Sequence, residues 1–405
     1  RQNNHYLGGL LSKSLFMRIA IVGPANPFEF KSYFNGNQNP PNINGNAASV
    51  NAHIQSLLDL GQTVEVFTYD INNTNSNLFF KGKQLRFTVI SRKKNKIIRS
   101  IRMDIVRNLR KEIGKRWHDI DVIHAQWTYE YAYAITKFAG GKPCFCTVRD
   151  WCPYQIPLQK RLGDKLYWHV NRFFFKRVFA TSDLHFIANS EYTYACIKAY
   201  RAQLTPHKLF NGIKSQFILT ERTHYPAMTT FVSIAQSITD PRKNIEKLLQ
   251  AFQKLRTYHD TKLLLIGAYD EEKVNAWRGK GLLNQVELRG SIDHDSVISV
   301  LDGCSVLVHP AMEETFGNIL LEGMARRIPV IGGLHAGGVP QVLGQGKYGI
   351  LCDVTSVDSL LQAMLKAEDP KIAQPLIADA TTYLQQNFSS DVVGKKHLQV
   401  YQTYI

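Results

Sequence analysis

Apolar residues along this chain fall in short runs that end at glycine or a polar turn, with helically spaced stretches between them. The first run is Arg18-Ile19-Ala20-Ile21-Val22-Gly23, the length and composition of a buried parallel strand. An Asn-, Pro- and Gly-rich loop follows at 35–46. From 47 to 60 the apolar residues Val50, Ile54, Leu57 and Leu58 recur on one helical face, and Gly61 stops the helix. Val64-Glu65-Val66-Phe67 then opens the next strand. Strand, loop, helix and strand in this order form the repeating unit of a doubly wound sheet.

The unit recurs. Further strands are predicted at 121–124, 143–148 and 185–189. A second series begins at 230–234 and runs through a helix at 244–255 and strands at 263–267, 286–288 and 305–309. Two alternating series predict an α/β protein of two Rossmann-like domains, divided near residues 212–228. A last helix is predicted at 391–404. Residues 1–16 show no periodicity and no signal-peptide h-region. No apolar run approaches the ~18 residues of a membrane-spanning helix.

Composition narrows the class. A length of 405 residues suits two domains, and 44% hydrophobic with 20% charged residues is a globular composition. The net charge of +16 is the unusual quantity, and it draws the molecule toward anionic surfaces. Six cysteines are too few for a disulfide scaffold, and Cys144, Cys146 and Cys152 lack metal-ligand spacing. They read as buried thiols in a reducing compartment, and no metal site is expected.

The candidate chemistry lies at His309-Pro310-Ala311-Met312-Glu313-Glu314-Thr315-Phe316-Gly317-Asn318-Ile319-Leu320-Leu321-Glu322-Gly323. A strand ends at His309, and a helix is predicted from about Gly317 through Ala325. Ligands of open α/β sheets bind beyond the carboxyl ends of the strands. The free N–H groups of Phe316 to Ile319 at the helix start suit a diphosphate. Glu314 and Glu322 bracket the turn, and carboxylates accept the paired donors of a sugar diol. Two acids eight residues apart are by themselves a common surface pattern.

Their neighbours make the pattern specific. The segment resembles the Glu-x7-Glu signature of family 4 glycosyltransferases with the GT-B fold, through Pro310, Glu314, Phe316, Gly317, Glu322, Met324, Ala325, Pro329 and Val330. Gly337-Gly338-Val339-Pro340-Gln341 and Gly349-Ile350-Leu351 resemble later motifs of the same family, with Gln341 in place of Glu. The resemblance implies two Rossmann-like domains facing a central cleft: an acceptor domain at 17–212, a donor domain at 213–388, and a helix at 389–405 returning to the first domain. Glu314 would hold the transferred sugar and Glu322 the ribose diol. Lys243, aided by Arg242, would neutralise the diphosphate. The family's earlier Arg is absent, with Gln236 or Ser237 in its place.

In the first half, Gly45 lies where the family's glycine-rich loop approaches the donor phosphate. Asp121-Val122-Ile123-His124 and Thr147-Val148-Arg149-Asp150-Trp151-Cys152-Pro153 resemble acceptor-side motifs. Arg149 stands where many members have a histidine. Arginine stays protonated and cannot act as a base, so binding of acceptor phosphate or product pyrophosphate is the role left to it. Asp150 is the acid of that turn, a catalytic or acceptor-positioning group or a structural cap. His124 is placed on the acceptor side.

From Arg92 to Arg116 eleven cations are opposed by Asp104 and Glu112 alone. Ile98, Ile101, Ile105, Leu109 and Ile113 share a helical stripe. One basic amphipathic helix is predicted, a membrane-surface or domain-packing element. A second cluster, Arg172-Phe173-Phe174-Phe175-Lys176-Arg177, mixes aromatics with bases. No zinc-finger, RNP-like or basic-zipper pattern supports nucleic acid as the partner. The expectation is a metal-independent, retaining glycosyltransferase without a cofactor, using a UDP- or GDP-sugar and a glycan or lipid-linked acceptor. It would be cytoplasmic and peripheral at the inner face of a membrane. A nucleotide-sugar epimerase on the same fold is the alternative.

Overall fold

The computed structural model describes residues 16–43, 48–158 and 162–405. Among the described residues, fourteen strands form two sheets. The first contains β1 (Arg18–Val22), β2 (Thr63–Tyr69), β3 (Leu78–Lys81), β4 (Leu85–Ile90), β5 (Val122–Ala125), β6 (Cys144–Val148), β7 (Leu184–Ala188) and β8 (His207–Lys208). Their order is β3-β4-β2-β1-β5-β6-β7-β8, parallel except where β3 pairs antiparallel with β4. The second contains β9 (Thr230–Ser237), β10 (Lys262–Ala268), β11 (Val286–Leu288), β12 (Val306–His309), β13 (Val330–Gly333) and β14 (Ile350–Cys352). Its order, β11-β10-β9-β12-β13-β14, is wholly parallel.

The central strands are apolar because both faces are covered. All four residues of β5, β12 and β13 and all five of β6 are buried. Helices on the two faces exclude water there, which is why these strands read as continuous apolar runs. Each sheet reverses its winding beside its first strand, between β1 and β5 and between β9 and β12. Such reversals leave crevices at the carboxyl ends of the strands.

The β3–β4 hairpin was not legible as part of the repeat, because it interrupts the alternation of strand and helix. The basic stretch needs a correction. In place of one amphipathic helix from Arg92 to Arg116 there are two, Lys96–Ile101 and Met103–Arg116. Arg102 between them adopts φ +61°. Its buried guanidinium bonds Glu130 at 2.8 Å and also Asn171. Those bonds hold the break. Ile105, Leu109 and Ile113 face the core, whereas Ile98 and Ile101 lie in solvent. Arg92 is likewise buried, paired with Asp104 at 3.0 Å.

The helix Ser390–Gln402 lies against Ala48–Asp59 of the first sheet's layer. Gly394 permits the approach, since a Cβ there would come within 2.7 Å of Ser56 Oγ. At its far end Tyr401 is fully buried, with its hydroxyl 2.6 Å from His124 Nδ1 and 3.2 Å from His53 Nε2. Burial, aided by the neighbouring His397, keeps both rings neutral by pushing them well below the usual histidine range.

Removing a hydroxyl that serves two buried nitrogens costs about 1–3 kcal/mol. Tyr401→Phe is therefore expected to melt at a lower temperature than wild type in thermal denaturation. Superimposable melts would contradict the role given to this contact.

Candidate active site in the interdomain cleft

The two crevices open toward each other, and specific bonds fix their spacing. Asn211 Nδ2 donates to Asn318 Oδ1 at 2.8 Å, and Thr315 Oγ1 donates to the Arg149 carbonyl at 2.7 Å. Lys214 pairs with Glu29 at 3.2 Å. Gln341 accepts the Glu191 N–H at 2.8 Å, a bond its amide makes without the charge of a glutamate. The cavity between the sheets is lined by Ser49, Lys214, His294, Asn318 and Glu322 among others.

On the second-sheet side, β12 ends at His309 and the helix Asn318–Ala325 begins nine residues later. Gly317 caps that helix at φ +86°, a conformation other residues rarely adopt. Phe316 is buried against Phe210 and Phe388, so its backbone rather than its ring is available to a ligand. Asn318 spends its side-chain oxygen on Asn211. The N–H groups of Phe316, Gly317, Asn318 and Ile319 have no acceptor among the described residues. The turn thus presents backbone donors flanked by two acids.

Both acids are already partnered. Glu314 is bonded by Lys243, with His309 Nε2 at 3.3 Å. Burial alone would raise its carboxyl, but Lys243 and His309 outweigh that and hold it well below the usual range. Glu322 is buried, with His294 Nε2 at 3.0 Å from its oxygen. Burial disfavours the His294 cation, yet Glu322 shifts the ring upward on balance. Arg242 is paired locally with Asp240 at 2.6 Å.

Arg149 differs. Its guanidinium donates to Ser49 Oγ at 3.0 Å, to Asn211 Oδ1 at 2.7 Å and to Gln126 Oε1, all neutral acceptors. Its Nε has no partner among the described residues, and no carboxylate pairs with it there. Burial lowers it to about 10, so it stays a cation at neutral pH. Asp150 accepts from the Tyr129 hydroxyl, and burial raises its carboxyl to about 6. His124 is fully buried between Tyr401 and Thr147. It reaches the cleft through Gln126, which also holds Arg149. Gly45 lies outside the described residues.

The structure thus gathers Glu314, Lys243, Arg242, Glu322, Asn318, Arg149 and Asp150 about one cleft. It adds Glu313, His294, Gln126 and Asn211. Sequence reasoning passed over Glu313 because its neighbour fitted the motif. Glu313 is only 5% exposed, its Oε1 has no partner among the described residues, and it faces Glu314, Arg242 and Asp150. Burial and the adjacent Glu314 charge raise it to about 7. His294 gave no signal, since only the fold brings it to Glu322.

Two doubly wound sheets with such a cleft between them define the GT-B architecture. The fold matches sucrose-phosphate synthase from Thermosynechococcus elongatus with a TM-score of 0.73, covering 96% of this chain and 98% of that one at 18% identity. WaaG, a glycosyltransferase involved in lipopolysaccharide biosynthesis, gives 0.67 over 95% and 99% at 16% identity. At these identities the likeness is one of fold. Family models are more specific: Glycosyltransferase Family 4 matches residues 43–214, and Glycosyl transferases group 1 matches residues 227–381. The chain belongs to this glycosyltransferase family. N-acetyl-alpha-D-glucosaminyl L-malate synthase of Bacillus anthracis is 28% identical over 160 residues, 39% of this chain and 42% of that relative.

Glu313 generates a pH prediction. Below its ordinary value of 4.5 the carboxyl is protonated whether the chain is folded or not. Between that value and about 7 the unfolded chain loses the proton while the folded protein keeps it, so stability falls as pH rises. The full loss is roughly 3 kcal/mol. Glu313→Gln, neutral throughout, should melt higher than wild type above pH 7 and alongside it at low pH. An equal gain at both ends of the range would contradict this.

Proposed function

We propose that this glycosyltransferase moves a sugar from a UDP- or GDP-sugar to a glycan or lipid-linked acceptor, with retention of anomeric configuration. The observation that carries the reading is the turn at Glu314–Glu322, where backbone N–H groups without an acceptor among the described residues stand between two partnered carboxylates, one half-buried and one buried. A diphosphate needs such donors, and the sugar and ribose at its two ends need acceptors.

In this reading Glu322, steadied by His294, takes the ribose diol. Glu314 takes hydroxyls of the transferred sugar. As those hydroxyls bind Glu314, Lys243 becomes free to turn toward the diphosphate. Lys243, Arg242 and the N–H groups of Phe316 to Ile319 then stabilise negative charge as the leaving group departs, without a metal ion or cofactor.

Arg149 is suited to an anion of the acceptor or the departing pyrophosphate, because a buried guanidinium held only by neutral oxygens gains from a counter-charge. Asp150 would position the acceptor hydroxyl, with Tyr129 fixing its carboxyl. WaaG, which shares the fold, is a glycosyltransferase involved in lipopolysaccharide biosynthesis. It supports a surface-polysaccharide or glycolipid acceptor here, met at the inner face of a membrane. No described helix is long and apolar enough to cross one.

Glu314→Ala and Glu322→Ala should each lower transfer about a hundredfold or more, with circular dichroism unchanged. Undiminished transfer by both variants would overturn the assignment of the turn.

A further inference from the structure

Two helices of the first domain expose apolar side chains that none of the described residues covers. On Lys96–Ile101 no residue is buried, and Ile97 is 72% exposed beside Ile98 and Ile101. On Leu162–Phe179 the exposed apolar residues are Leu162, at 84%, with Leu166, Tyr167 and Phe173. Single exposed leucines are ordinary. Here the two rows meet: Arg102, at the end of the first helix, sits 4.8 Å over the Tyr167 ring and bonds Asn171 of the second.

The surroundings indicate what covers them. Lys93, Lys94 and Lys96 are exposed on one side, and Lys165, Arg172 and Lys176 on the other. Asp164 is the one exposed acid on these two helices. Apolar side chains framed by cations on short surface helices match the boundary between lipid headgroups and acyl chains. Leu162 to Tyr167 are exposed in unbroken succession, so the first turn of this helix is open to solvent along its length. A protein partner would be met by a face poor in lysine, the residue that frames this one.

The patch also borders the cleft. Trp168 packs against Tyr129 at 6.1 Å between ring centres, and the Tyr129 hydroxyl donates to Asp150. We propose that the edge formed by 93–101 and 162–173 docks on an anionic lipid bilayer. Ile97, Ile98, Leu162 and Leu166 enter the interface, and the lysines and arginines lie among lipid phosphates. The acceptor side of the cleft is thereby held at the membrane surface, an arrangement that rests on the lipid-linked acceptor proposed above. The bilayer contact is set by this edge and not by the cationic face of Met103–Arg116.

The test is co-sedimentation of the whole chain with phosphatidylcholine vesicles and with vesicles containing added phosphatidylglycerol. Binding is expected to the anionic vesicles, weakening with salt. The charge-neutral double variant Ile97→Ser/Leu162→Ser should bind them about tenfold or more weakly. Lys111→Glu, on the other helix, should bind within about twofold of wild type. Both variants should melt as wild type does. Failure of the wild type to bind anionic vesicles would overturn the proposal, as would undiminished binding by the double variant or a greater loss from Lys111→Glu. Donor binding by the same proteins separates this from the catalytic reading. A protein that binds vesicles but no nucleotide-sugar contradicts the assigned reaction and leaves the docking edge standing.

Discussion

The turn from Glu313 to Gly317 is held by backbone contacts, and the cleft is arranged around it. Gly338 N–H donates to the Glu314 carbonyl at 2.8 Å. The two glycines preceding Val339 lie so close to the turn that a Cβ on Gly337 would stand 2.2 Å from the Glu314 oxygen, and one on Gly338 would stand 2.4 Å from the Thr315 oxygen. From the other domain the Arg149 carbonyl accepts from Thr315. A turn clamped from both sides in this way fixes where its carboxylates and N–H groups stand before any ligand arrives. Such preorganisation is what makes fixed dipoles effective at developing charge.

Charge in the cleft follows a consistent rule with one departure. Lys243 with Glu314, Arg242 with Asp240, and His294 with Glu322 are each satisfied by a partner. Arg149 has amide and hydroxyl oxygens only. The three pairs neutralise their own charges, whereas no carboxylate among the described residues pairs with Arg149. Asp150 and Glu313 neighbour Arg242 instead, and burial raises their carboxyls to about 6 and about 7. The cleft therefore combines a cation without a carboxylate partner among the described residues with acids close to their titration point, a setting common at functional sites.

The second domain was easier to read from the chain than the first. Its strands are short buried runs, and its motif residues sit in one contiguous segment, so spacing and chemistry coincide. The first domain assembles its part of the site from β5, β6 and the segment at Asn211, which only folding brings together. Gln126 and Asn211 were therefore invisible as partners of Arg149, and His294 as the partner of Glu322. The basic stretch misled for a different reason. Its apolar spacing continues through Arg102, but buried bonds to Glu130 and Asn171 hold that residue in a left-handed conformation. Tertiary bonding outweighed local periodicity, and two of the five stripe residues, Ile98 and Ile101, were left in solvent.

The most direct test of the central claim is whether this cleft binds a nucleoside-diphosphate sugar. Melting temperatures measured against UDP-, GDP-, ADP- and dTDP-sugars report it, because a ligand at about a hundred times its Kd stabilises by about 2.7 kcal/mol. The account predicts that at least one donor raises the melting temperature in a concentration-dependent way, and that Glu322→Ala abolishes the rise. A flat response to every donor, or a rise that survives loss of Glu322, would contradict it.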